Sequence, residues 1–472
     1  MPTASTHSHT LGRPKSTLKQ GRSRPSASIL DKYAIIPIAL CVFALIISPV
    51  LIYANTGTSG ALLASKLQNL MTPRPENRFV FPALAAISVL FAFRNWFRLT
   101  WPPNIICLTT YLAFAGVSAL WAFRPELSFI RFVAQAMILT SIVLPTMLAA
   151  PTVDIMRGLF LCYAFALALN LFFVHNQSPI YYDNMDIGYP GYFPFKGHLG
   201  ECAAVAFLLA LHEMLYSGHR RALGIMVVIV AIYLTILSKS KGSFGIGVIA
   251  PLLAGLTLIT CKRMRLSPAI VLLPIPIFYA VLSKVYGNLV NRISWYLYGN
   301  YTLSGRTIIW DFANYEIARK PLLGWGYQSF WLVGPDAPSI VDAPGWVKTM
   351  PSAHNGYLDT MLEMGYVGLT LLVIFIIATL HAIGRVLDRD PARAWLLLSL
   401  ALFVILTNFL ESDWMRGADT LWLIFAILTA EAGRYWRTSR QSPIARVPTC
   451  PSPVITGRRP GTSGKRFVPE SS

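Results

Sequence analysis

The stretch Tyr33–Ala54, YAIIPIALCVFALIISPVLIYA, decides the fold. It runs 22 residues without a charge, and about 20 apolar residues are what a helix needs to cross a bilayer core of about 30 Å. A polar arm of 32 residues precedes it and no small-residue cleavage site is present, so it reads as a signal-anchor span and not a removable signal peptide. Further apolar blocks recur at 79–94, 101–121, 127–149, 155–175, 197–216, 221–238, 242–261, 268–283, 357–383, 392–410 and 419–437. The second is short, and the ninth contains Pro274 and Pro276. The pattern predicts an all-α polytopic integral membrane protein of about 12 transmembrane helices. Composition agrees: the chain of 472 residues is 54% hydrophobic and only 13% charged, about half the charged share of a soluble domain. A secreted globule, a coiled coil and a disordered tail protein are excluded.

The formal charge of +19 would suit a nucleic-acid binder if it were spread over a folded surface. Instead, +12 of it sits in two tails, residues 1–32 and 434–472, rich in Ser, Pro and Gly. No aromatic-basic motif accompanies it, so the expected contact is anionic lipid and not nucleic acid. Basic residues also crowd the even-numbered connections: Arg94 and Arg98; Arg157; Arg220 and Arg221; Lys262, Arg263 and Arg265; Arg385, Arg389 and Arg393. The opposite side includes the acidic stretches Asp183–Asp186 and Glu411–Asp419. The positive-inside rule therefore puts both termini in the cytoplasm, although Lys66, Arg74 and Arg78 in the first outer connection fit it less well. Of the cysteines Cys41, Cys107, Cys162, Cys202, Cys261 and Cys450, five lie in or beside apolar blocks and none forms a C-x-x-C pair. They read as small buried hydrophobes, with no disulfide framework or zinc site implied.

This gives a disordered basic arm over 1–32, spans one to nine over 33–283, a large outer (periplasmic) loop over 284–356, spans ten to twelve over 357–437, and a disordered basic tail over 438–472. The loop is far longer than its fellows and holds Trp295, Trp310, Trp325, Trp331 and Trp346. So much aromatic content predicts a folded cap, with aromatics to stack on sugar rings or to sit in the interface belt.

Three groups carry candidate chemistry. Ser304-Gly305-Arg306-Thr307 opens a helical pattern, with Ser304 as a plausible N-cap. Arg306 then falls in the first turn, where backbone N–H groups and the helix dipole already favour an anion, so a cation there reads either as a surface residue or as the mark of a negative partner. His354-Asn355-Gly356-Tyr357 enters span ten, with Asn355 as cap. His354 is either an ordinary interface histidine or a base for a sugar hydroxyl. The tight turn Leu237-Ser238-Lys239-Ser240-Lys241-Gly242 places Lys239 and Lys241 at the membrane surface, as snorkelling cations or as phosphate ligands. Arg131, Lys196, His198 and Glu201 add polar groups near the same face. Together they predict a positive, outward-opening pocket for a membrane-tethered pyrophosphate. No carboxylate-rich cation site, P-loop, H-E-x-x-H or G-x-S-x-G is present, so neither a metal nor another cofactor is expected.

Ser304-Gly305-Arg306, Lys320-Pro321-x-x-Gly324-x-Gly326 and His354-Asn355-Gly356-Tyr357-Leu358, followed by Gly365-x-x-Gly368, resemble the O-antigen ligase and polymerase superfamily. Within it the pattern looks most like rhizobial ExoQ-like exopolysaccharide polymerases, and Phe193-x-x-Lys196-x-His198-x-Gly200 and Trp121-x-x-x-Pro125-x-x-Ser128 fit too. The resemblance implies a metal-independent membrane glycosyltransferase in the bacterial inner membrane. Its donor and acceptor would be undecaprenyl-pyrophosphate-linked oligosaccharides used at the periplasmic face, with chain-length regulators and export proteins as further partners. It also implies that Arg306 binds the donor pyrophosphate and that His354 activates the acceptor hydroxyl. The residues expected around the substrate are Ser304, Asn355, Tyr357, Trp325, Lys239, Lys241, Arg131, Lys196 and His198. Family members carry Ser-Arg-Gly after span seven where this chain has Ser240-Lys241-Gly242; lysine keeps the charge but loses the guanidinium fork. Gly197 likewise stands where an ExoQ-like pattern often has Asn. A ligase, differing only in acceptor, is the alternative enzyme. A lipid-linked saccharide flippase is the alternative of another class, disfavoured because the two halves show no internal repeat.

Overall fold

A computed structural model describes residues 34–56, 76–150, 153–182, 185–276, 278, 281, 282, 292, 295, 296 and 305–441. The basic arm, the C-terminal tail with Cys450, most of the first outer connection, Ser304 and most of 276–304 lie outside the described residues.

Helices follow the apolar blocks. They are α1 (Ile35–Ala54), α2 (Asn77–Arg94), α3 (Pro103–Trp121), α4 (Pro125–Leu148) and α5 (Ile155–His175). After these come α6 (Lys196–Glu213), α7 (His219–Ser238), α8 (Lys241–Met264), α9 (Pro268–Leu272), α10 (Arg306–Arg319), α11 (Gly356–Leu387), α12 (Pro391–Thr407) and α13 (Thr420–Gln441). Proline opens α3, α4, α9 and α12, where its missing N–H costs nothing. Asp154, Asn355 and Asp390 cap α5, α11 and α12 through their side chains. α1 loosens into a π turn at Phe43–Ile47, just ahead of Pro49, whose ring and absent N–H disturb the regular ladder there.

Eight of these helices, α1 to α5, α7, α8 and α11, are long and apolar enough to cross a membrane. The expected count of about twelve is not reached by that measure among the described residues. α6 carries Lys196, Glu201 and Glu213, α13 carries Glu431, Arg434 and Arg437, and α12 has only 17 residues, while the ninth block lies partly outside the described residues. The all-α expectation needs one amendment, a short antiparallel hairpin of β1 (Ile180–Tyr182) and β2 (Met185–Gly188).

Packing pairs α6 with α7, α8 with α12, α2 with α4 and α3 with α11, while α13 lies against α4. One large apolar core fills this bundle and includes Tyr111, Tyr163, Phe375, Trp422 and Phe425. A second, separate core belongs to residues 309–362: Ile309, Phe312, Ile317, Trp325, Phe330, Trp331, Val347 and Leu362. The described part of segment 284–356 is therefore folded, as its aromatic content predicted. At the opposite end of α4, Asp154 accepts from Arg393 at 2.7 Å, Glu213 takes Arg157 and Arg220, and Arg434 holds Glu431 and the Val153 carbonyl. Basic residues of four segments thus converge at the end away from the cap.

Candidate active site

The cap is tied to the bundle by the sequence motifs themselves. α11 breaks at Gly365, whose φ of 65° and ψ of −166° only glycine adopts readily. Segment 321–326 fills the break: Trp325 and Gly326 donate to the Leu362 and Glu363 carbonyls, both at 2.8 Å, and Tyr366 donates to the Pro321 carbonyl at 2.8 Å. A Cβ on Gly365 would lie 2.1 Å from the Leu322 carbonyl oxygen. Around the corner, Trp121 Nε1 donates to the Leu323 carbonyl at 3.0 Å and Ser128 Oγ to the Tyr327 carbonyl at 2.7 Å. Trp121-x-x-x-Pro125-x-x-Ser128 is thus a docking strip for the cap.

Segment 352–356 delivers the histidine. His354 is held at φ 48°, a left-handed conformation uncommon for a residue with a Cβ. Its neighbours fix it: the Asp359 carboxylate accepts from Ala353 N at 3.1 Å, Ser412 Oγ accepts from Asn355 N at 3.0 Å, and the Asn408 and Glu411 carbonyls share Gly356 N. Asp359 also accepts from Trp331 Nε1 at 2.7 Å and pairs with Arg416 at 3.0 Å. A Cβ on Gly356 would crowd the side chains of Asn408 and Trp414, so a larger residue there requires them to shift. As expected, Asn355 caps α11, accepting from Tyr357 N and Leu358 N.

Arg306 is the first residue of α10, behind Gly305 at φ 89°. Arg306 and His354 meet through a third residue, Glu411, in the connection between α12 and α13. Arg306 Nη2 donates to Glu411 Oε1 at 2.7 Å, and His354 Nδ1 lies 3.0 Å from Glu411 Oε2. Side-chain exposures of 24%, 32% and 34% for Arg306, His354 and Glu411 leave all three accessible from one side. Burial alone would raise the Glu411 pKa. The His354 hydrogen bond and the Arg306 charge outweigh it and hold the carboxyl below its ordinary 4.5. The carboxylate is then an acceptor only, so the hydrogen of this bond is carried by His354 Nδ1, and in a neutral imidazole Nε2 is left as the acceptor.

Beside this group lies a cavity of about 940 Å³, whose lining mixes polar residues such as Ser352, Ser412, Arg131, His198 and Arg416 with apolar ones such as Phe43, Ile52, Phe81 and Ile130. Arg131 is braced by the Gln328 carbonyl. The Lys239–Lys241 turn is near as well: Gly242 approaches Leu410, next to Glu411, and Gly200 approaches Ser240. Lys196 opens α6 two residues before His198. Tyr357 turns away, its hydroxyl donating to the Ile405 carbonyl at 2.9 Å. Trp325, expected at a sugar, is 7% exposed within the cap core, with Lys320 Nζ 4.0 Å from its ring centre. Glu411, Asp359 and Arg416 were not singled out from the sequence. Glu411 and Arg416 were visible only as part of an acidic outer stretch. Among the described residues no cluster of three or more His, Cys, Asp or Glu side chains is arranged to hold a metal ion.

The structure thus defines a multi-pass helical membrane protein with an Arg–carboxylate–His group beside a half-apolar cavity. Residues 205–373, which include Arg306 and His354, match the family model described as O-antigen ligase. The chain is 25% identical over 330 residues to the exopolysaccharide production protein ExoQ of Rhizobium meliloti (strain 1021), covering 66% of this chain and 73% of that one. Rickettsia conorii and Rickettsia felis each have a relative named "Putative polysaccharide ligase". They are 25% and 26% identical, over 39% and 38% of this chain, and the chain spans 44% of the length of each. The resemblance to the O-antigen ligase and polymerase superfamily, on its ExoQ-like side, is borne out.

Proposed function

We propose that the protein polymerises lipid-linked oligosaccharide repeats into exopolysaccharide or O-antigen at the outer face of the inner membrane, with both termini cytoplasmic and undecaprenyl pyrophosphate as carrier. The observation that carries this is the joining of Arg306 and His354 by Glu411 within hydrogen-bond distance, beside a cavity whose lining is both polar and apolar. His354 Nε2 takes the proton of an acceptor hydroxyl as its oxygen attacks the anomeric carbon. The bond from that carbon to the pyrophosphate oxygen breaks, and Arg306 stabilises the charge the leaving group acquires. Attack opposite to the leaving group inverts the anomeric centre. Arg131, Lys196, Lys239 and Lys241 supply further positive charge, and the apolar part of the cavity lining suits an isoprenoid chain.

Arg306→Ala and His354→Ala should each abolish polymer while the protein stays in the membrane at its normal level. Normal polymer in either variant would remove that residue from the mechanism. A ligase is the second reading, favoured by the family description and the rickettsial names. It differs in the acceptor, lipid A core or a protein hydroxyl, and its loss would strand long polymer on the carrier.

A further inference from the structure

The Arg306 guanidinium reaches Glu411 through Nη2 alone. Among the described residues its buried Nε has no hydrogen-bond partner. A diphosphate arriving at the first turn of α10 meets backbone N–H groups and a guanidinium side chain that is 24% exposed, where it competes with Glu411 for the same cation. Glu411 has a second place for its charge, since Oε2 is already bonded to His354 Nδ1.

We infer that Glu411 is an exchangeable counter-ion: the donor diphosphate displaces it from Arg306, and its charge then falls on His354 alone. This rests on the proposed function and deepens it. While Arg306 holds Glu411, the guanidinium offsets the carboxylate's pull on the imidazole. Once the diphosphate takes Arg306, the full negative charge beside Nδ1–H raises the proton affinity of Nε2. The base thus gains strength when the donor is bound, which links donor binding to acceptor activation. The other titratable groups that interact with Glu411 are His198 and Glu201 from α6, and Asp413 and Asp419 from the connection that carries Glu411. Glu411 is a positioning residue here; it touches neither the anomeric carbon nor the attacking oxygen.

The test uses the full-length protein in detergent, with lipid-linked saccharides extracted from a deletion strain as substrate and undecaprenyl pyrophosphate as the binding probe. Glu411→Gln removes the competitor for Arg306 while keeping the side-chain shape. Turnover should fall about 100-fold, while undecaprenyl pyrophosphate binds up to about 5-fold more tightly. Glu411→Asp should recover part of the turnover with near-native diphosphate binding. A residue that only props the fold would lose both properties together. Undiminished turnover, or lost turnover without tighter diphosphate binding, would overturn the inference. His354→Ala separates this from the reading beneath it. An inactive H354A beside a fully active E411Q defeats only the exchange, whereas an active H354A defeats the base assignment itself.

Discussion

Two carboxyl groups two residues apart, Glu411 and Asp413, are pushed in opposite directions by their surroundings. Glu411 has His354 and Arg306 as partners and is held below its ordinary pKa of 4.5 despite burial. Its stabilising contribution is therefore complete above about pH 4.5 and is lost as pH falls through the lower folded value. Thermal stability should show no step from this group between pH 7 and 5, and Glu411→Gln should remove part of the loss seen on further acidification. Asp413 is 5% exposed, with Oδ2 lacking a hydrogen-bond partner among the described residues. Burial, then the charges of Asp419 and Glu411, raise its pKa well above 3.8, with only Arg416 opposing. Here the folded state holds the proton more tightly, so stability is lost as pH rises from the unfolded value towards the folded one. Asp413→Asn should raise the unfolding temperature at pH 7.5, by about 2–4 °C per kcal/mol relieved, and change little at pH 4. A lower unfolding temperature at pH 7.5 would contradict that account. His354 poses a different problem, because its left-handed backbone must be held by others. Asp359→Asn weakens the bond to Ala353 N and the pair with Arg416. Polymer yield should drop about 10-fold or more with membrane levels unchanged.

At the scale of elements, the break in α11 is the feature on which the cap depends. Gly365→Ala would put a Cβ 2.1 Å from the Leu322 carbonyl oxygen in a backbone region closed to alanine. The expected result is a cap that no longer seats, read as faster proteolysis within 305–355 than in the native protein. An unchanged digestion pattern would show that segment 321–326 is held by other means. The same element explains what the sequence made legible. Lys320-Pro321-x-x-Gly324-x-Gly326 and Gly365-x-x-Gly368 were recognisable as motifs, but their meaning, a loop supplying hydrogen bonds across a helix break, lies in contacts some forty residues apart that no local periodicity reports. Arg306 and His354 were legible because each stands at a helix start, with Asn355 as a readable cap beside His354. Glu411 was not, since it follows His354 by 57 residues, outside any regular element, and only folding brings it there. Trp325 misled for a related reason: aromatic residues in an outer loop serve a cap core as readily as a sugar, and burial decides between the two.

For the whole molecule, hydropathy revealed the polytopic helical class, because in lipid each backbone polar group must be satisfied within its own segment. It overstated how many blocks are fully apolar, because α6 and α13 carry charges that the bundle accommodates internally. Glu213 pairs with Arg220, and Glu431 pairs with Arg434. The proposed orientation puts that ionic end in the cytoplasm and the cap outside. The most direct measurement of the central claim is made on a deletion strain, by separating its lipid-linked saccharides and surface polysaccharide by size. The account predicts single repeat units on the carrier with no long polymer, restored to long chains by the native gene but not by the Arg306→Ala or His354→Ala gene. Long polymer stranded on the carrier would contradict polymerisation and make the protein a ligase, and repeats trapped on the cytoplasmic leaflet would contradict both.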